Sequence, residues 1–157
     1  MSKHEKILEV IASCDDEAKL RNWIANARRE GVAEVEETAR RRLIEVRAWH
    51  DIDDPSDPIV LDFWKSISAL EQELSEERGK TIRLSRTRQK IARVGVEKTL
   101  SDLAMQTKPS EGYNLLLARD MLDLSAEAVV LRYPDRFEDE VLEAAKLRLE
   151  ADSSADQ

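Results

Sequence analysis

Between Val60 and Leu74 the apolar residues Val60, Phe63, Ile67, Leu70 and Leu74 recur in alternating three- and four-residue steps. A helix gathers residues so spaced onto one face, and a 3.5-residue repeat is the seam along which two helices pair. Upstream, Val35, Ala39, Leu43 and Val46 keep the same kind of spacing. Four glycines and four prolines in 157 residues leave a β-sheet protein short of turns, whereas 41% apolar and 37% charged residues suit amphipathic helices. The predicted class is all-α: an elongated helical bundle with a long central helix, flanked by short helices and able to pair as an antiparallel coiled-coil dimer.

Punctuation divides the chain. Ser2 with Glu5 has capping-box spacing, and Ser13 followed by Asp15, Asp16 and Glu17 reads as a second helix start, giving helices at about 3–12 and 15–30. Gly31 closes the second, and a third amphipathic helix completes an N-terminal unit over residues 1–50. HDIDDPSDP crowds two prolines and four aspartates into nine residues, so 51–58 reads as a linker. Helical propensity then runs from Ile59 to Val94, interrupted only by Gly79, a span of roughly 50 Å at 1.5 Å per residue. Gly95 ends that helix, a C-terminal helical unit spans 95–151, and DSSADQ, residues 152–157, is predicted to be a disordered tail. EVEETARRRL at 34–43 and EVLEAAKLRL at 140–149 share six residues at identical offsets, consistent with duplication or with two helices meeting the same demands.

Charge is partitioned as sharply as structure. The net charge is −8, yet RGKTIRLSRTRQKIARVGVEK, residues 78–98, carries eight Lys or Arg against one acid, which leaves seventeen bases and thirty-two acids, a net −15, elsewhere. An acidic body disfavours unspecific adhesion to polyanions, so any such binding is expected to be local to this segment. On a helix at about 100° per residue, Arg83, Arg86, Lys90 and Arg93 share an arc of roughly 80°, with Leu84 and Ile91 as an apolar anchor well away from its centre. Lys80 and Arg88 add to the block. Cations so arranged can track a phosphate backbone, with Ser85, Thr87 and Gln89 as neutral donors.

Within the block, IARVGVEKTLSDL resembles the helix-turn-helix pattern of repressors, with Ile91, Ala92, Gly95, Val96, Thr99 and Leu100 in the corresponding roles. It is one residue short between Ala92 and Gly95 and again between Val96 and Thr99, a spacing that displaces the recognition helix. Gly95 then reads as a helix C-terminus.

Other chemistries lack their residues. Asp51, Asp53, Asp57 and Asp62 fall at positions 1, 3, 7 and 12 of a calcium-loop frame, but Pro55 and Ser56 occupy positions 5 and 6, where a ligand and the turn glycine belong. The two histidines, His4 and His50, have no Cys or His neighbours of a zinc site, so neither metal nor cofactor is predicted. Cys14, the single cysteine, is followed by acids that disfavour a thiolate, and no phosphate loop or serine elbow is present. The chain is expected not to be an enzyme. The first apolar run, ILEVIA, is too short for a signal peptide or membrane span, which points to the cytoplasm.

The expected function is a non-enzymatic, regulatory or architectural protein that contacts nucleic acid, DNA before RNA, through Lys80, Arg83, Arg86, Arg88, Lys90 and Arg93. The alternative is a protein-protein interaction adaptor, or an accessory subunit of a nucleic-acid-processing or defence complex. In a homodimer, Glu73 and Glu77 of one copy would meet the cations of the other. Trp23, Trp49 and Trp64 suit core or interface, and Arg40, Arg41 and Arg42 offer a second basic patch or ordinary pairing with nearby glutamates.

Overall fold

A computed structural model describes residues 3–52 and 56–155, all-helical with no strand among them. The chain forms two compact units, residues 1–52 and 53–157. Among the described residues, no helix is long and apolar enough to cross a membrane.

The first unit has three helices: α1 (Lys3–Ala12), α2 (Glu17–Glu30) and α3 (Ala33–Asp51). Ser13 does not start a helix; its hydroxyl donates to the carbonyls of Glu9 and Val10 at the end of α1, and Asp16 caps α2 by accepting the Lys19 N–H. Ser2 of the expected first capping box lies outside the described residues. Gly31 adopts φ 72°, the left-handed conformation that closes a helix, and the Val32 N–H returns to the Ala27 carbonyl. This tight reversal lays α2 along α3. Leu20, Ile24 and Ala27 of α2 bury against Val35, Ala39, Leu43 and Val46 of α3, the face that the spacing marked, and Ile11 of α1 completes the core.

The second unit holds α4 (Pro58–Arg78), α5 (Ser85–Val94), α6 (Val96–Met105), α7 (Glu111–Ala118), α8 (Ala126–Arg132) and α9 (Asp139–Ala155). Asp57 caps α4 with Pro58 at its first position, and Ser110 and Ser125 cap α7 and α8 through the N–H groups of Tyr113 and Ala128. Ile59, Phe63 and Ile67 of α4 form one core with Leu100 and Ala104 of α6, Val129 and Val130 of α8, and Val141 and Ala145 of α9.

Two expectations change here, the single central helix and the disordered tail. Of the seam on α4, Phe63 and Ile67 are each 1% exposed in the core of the second unit, Val60, Leu70 and Leu74 are half-buried, and Glu73 and Glu77 both pair with Arg119. The single helix expected over 59–94 is two helices separated by residues 79–84, because Gly79 takes φ 68° and turns the chain back. The tail expected at 152–157 is helical through Ala155, tied at Asp152, whose carboxylate accepts the Tyr113 hydroxyl.

The internal echo has a physical meaning. Val35 and Val141 are buried, as are Ala39 and Ala145, and the matching arginines each reach a carbonyl near the end of another helix. Arg42 donates to the Cys14 carbonyl at 2.9 Å, and Arg148 donates to the carbonyls of Leu103, at 3.2 Å, and Gln106. At the valine, alanine and arginine positions the two helices meet the same demands, an apolar face and a cation for carbonyls at a helix end.

Candidate nucleic-acid interface

The basic block begins where α4 ends. After Gly79 the chain runs back along α4 as an extended strap: the Ile82 N–H donates to the Ser75 hydroxyl at 2.8 Å, and the Leu84 N–H donates to Glu71 Oε2 at 2.7 Å. Residues 71 and 75 are one helical turn apart, about 6.0 Å of rise, and two residues of extended chain span about 6.6 Å, so the two bonds are in register. Extended chain alternates sides. Ile82 and Leu84 are half-buried, whereas Lys80, Thr81, Arg83 and Ser85 are exposed. Arg83 reaches solvent by strap alternation and not by membership of a helical arc.

α5 follows at once. With about 100° per residue, Arg86, Lys90 and Arg93 share an arc of roughly 60°, and Arg88 lies on the opposite side. Arg86 and Arg93 are exposed. Lys90 is half-buried and its ammonium sits 2.6 Å from Asp102, which also receives Lys98. The Lys90 hydrogen bond, then that of Lys98, hold the Asp102 carboxyl below its ordinary range. Arg88 turns inward: its Nε and Nη2 donate to Glu71 at 2.8 and 2.7 Å, and its guanidinium lies 5.1 Å from the centre of the Trp64 ring. Of the six residues expected to meet phosphate, then, Lys80, Arg83, Arg86 and Arg93 stand free in solvent, and Arg88 and Lys90 are committed to acids of their own chain.

Gly95 joins α5 to α6 with φ 89°, and its N–H closes on the Ile91 carbonyl at 2.9 Å. The sequence resemblance to a helix-turn-helix does not extend to an exposed recognition helix. Thr99 and Leu100 are buried, with the Thr99 hydroxyl donating to the Gly95 carbonyl.

The arginine inventory sets the block apart. The chain has sixteen arginines, and twelve of them have a hydrogen-bonding, ionic, ring or electrostatic partner, as Arg28 has Glu36, Arg132 has Asp62 and Arg136 has Asp57. Arg40, Arg41 and Arg42, the second basic patch, pair with Glu36, Glu37, Asp15 and Glu45. Among the described residues, the arginines without a partner are Arg78, Arg83, Arg86 and Arg93, all exposed and all within one stretch of sixteen residues.

Other polar sites in the second unit are occupied by structure. Asp57 and Asp62 of the calcium frame hold Arg136 and the Tyr133 hydroxyl, and Asp53 and Pro55 lie outside the described residues. A cavity of about 60 Å³ has Phe63, Ile67, Leu70, Leu84, Thr87 and Glu127 among its lining residues. Burial pushes the Glu127 carboxyl above its ordinary range, against the opposing pull of its own backbone amide and of Arg148. No His, Cys, Asp and Glu group suited to a metal ion occurs among the described residues.

In comparisons with known proteins, no family model, curated protein or solved structure matches the chain.

Proposed function

We propose that this chain is a non-enzymatic nucleic-acid-binding protein that contacts the phosphate backbone, of duplex DNA in the first instance, through Lys80, Arg83, Arg86 and Arg93, with Arg78 at the flank. One observation carries the reading. In a chain of net charge −8, every arginine outside residues 78–93 has an intrachain partner, and among the described residues the four that lack one are all exposed and fall within sixteen residues of chain. Arginine presents a rigid fork of donors that matches phosphate, and each phosphate neutralised releases condensed counterions, which supplies affinity without sequence readout. Arg88 ties the segment to α4 from behind through Glu71, while Lys90, on the same arc as Arg86 and Arg93, is held by Asp102.

The test is electrophoretic mobility of mixed-sequence duplex at low salt with the native protein and with R78Q/R83Q/R86Q/R93Q. Retardation by the native chain and none by the variant is the expected pair of results. No retardation by the native protein at low salt refutes the reading.

A second reading is docking on an acidic protein surface or a second copy of the chain. It is favoured by Val94, which is 40% exposed beside Arg93 and offers an apolar contact that a phosphate backbone does not use.

A further inference from the structure

We infer that Glu71 and Arg88 form a positioning pair that shapes this surface, with Arg88 acting behind the cations and not as one of the phosphate contacts. The inference rests on the reading of residues 78–93 as the binding segment, and its structural half can be tested separately.

Glu71 is 2% exposed and belongs to α4, yet all three of its hydrogen bonds described above go to the basic block: one to the Leu84 N–H and two to the Arg88 fork. A carboxylate so deeply placed is costly unless fully paired. Here both oxygens are used, and the guanidinium is further covered by the face of Trp64. The three bonds fix two separate degrees of freedom. The Leu84 bond, with that of Ser75 to Ile82 one turn away, sets the register of the strap and so decides that Arg83 faces solvent. The Arg88 fork sets the rotation of α5 about its own axis, because Arg88 inward means Arg86 and Arg93 outward on the opposite side. A single buried acid therefore fixes both the strap cations and the helix cations.

The alternative role for such a pair is stability alone. Replacing a buried ion pair by apolar residues of similar size is often neutral for stability, so E71M/R88M separates the two roles. It keeps the apolar bulk between α4 and α5 while removing the acceptor of the Leu84 amide and the fork that orients α5.

The experiment has two arms on the full chain. In the first, amide hydrogen exchange is read residue by residue: the Leu84 amide of E71M/R88M is expected to exchange roughly tenfold faster, the factor for one charge-assisted bond, while Val129 and Val130 in α8 keep their protection. In the second, affinity for a mixed-sequence duplex is measured against salt. The variant is expected to lose about one unit of slope for each phosphate no longer reached, although all the exposed arginines are still present.

A folded variant with native Leu84 protection overturns the positioning role whatever the binding result. Faster exchange with unchanged affinity and slope also overturns it, because the segment would then bind without being held. If native protein binds no duplex, the proposed function fails while the exchange arm still decides whether Glu71 orders the strap. Should E71M/R88M not fold, S75A loosens only the Ile82 end of the strap. Faster Ile82 exchange with a shallower slope is then the expected result, and no change in either refutes the inference.

Discussion

Replacing Arg148 by Met is expected to destabilise the second unit by an amount that grows with pH. The Arg148 guanidinium sits 3.3 Å from Glu127 and donates to the carbonyls of Leu103 and Gln106, while Glu127 itself is 3% exposed. Methionine fills the stem's volume but supplies no donor, so a buried carboxylate loses its cation and the Gln106 and Leu103 carbonyls lose the guanidinium, the latter keeping only the Gln106 N–H at 3.4 Å. Breaking a buried pair on one side costs about 3–5 kcal/mol. At an m-value of about 1–3 kcal/mol/M, that lowers the urea midpoint by roughly 1–3 M or more. The pH dependence follows from the direction of the shift. Burial already holds the Glu127 carboxyl above its ordinary range, and losing Arg148, one of the influences opposing it, raises it further. Above the native protein's folded value, the native carboxyl is ionised while that of the folded variant still holds its proton. The stability difference then grows by about 1.4 kcal/mol per pH unit until the variant's own folded value is passed. Urea melts of both proteins between pH 5 and pH 8 measure it, and E127Q/R148M should remove the pH dependence. A difference that is constant with pH, or a midpoint unchanged at pH 8, would refute the placement of Glu127 and Arg148 as a buried pair.

Three further effects are expected. Phe63→Ala should cost about 3–5 kcal/mol by opening a cavity among α4, α6, α8 and α9, read by chemical melting, with the side chains of the first unit keeping their native resonances at low denaturant. Gly79→Ala should cost about 1–2 kcal/mol, since no atom crowds the new methyl and the penalty is the left-handed φ of 68° alone; a neutral substitution would mean that α4 does not end there. Asp57→Ala removes the cap of α4, worth about 1 kcal/mol. The Arg136 hydrogen bond holds the Asp57 carboxyl below its ordinary range, so this contribution is present above the unfolded carboxyl value and is lost as pH falls through the lower folded one. The native-minus-variant difference should shrink in acid.

Much of the helix order was legible because each boundary carried local chemistry: Gly31 and Gly95 at helix ends, Asp57 with Pro58 at the start of α4, and an apolar face on α3 that the structure buries residue for residue. The segment 79–84 was misread as helix although its signal was present. Gly79 stood at the break, and Thr81, Ile82, Arg83, Leu84 and Ser85 alternate polar and apolar with period two, the pattern of extended chain. Continuous helical propensity on both sides outweighed five residues of alternation. The cationic face of α5 followed from spacing, but the fate of individual cations did not. Arg88 and Arg86 look alike in sequence, and what separates them is Glu71, seventeen residues earlier than Arg88 and indistinguishable there from the exposed Glu76 and Glu77 of the same run. A buried acid inside an acidic run leaves no mark in periodicity. The seam on α4 was real as an apolar face; spacing alone could not say whether its partner was a second copy or α6, α8 and α9 of the same chain.

The central claim is that the unpaired cations of residues 78–93 bind phosphate. Its most direct measurement is the slope of log affinity against log salt for a fluorescent mixed-sequence duplex, followed by anisotropy. Four or five contacts to duplex DNA give a slope of roughly −3.6 to −4.5, and R78Q/R83Q/R86Q/R93Q should reduce it to about −1 or abolish binding. A native slope near zero, or a variant slope equal to the native one, would contradict the account.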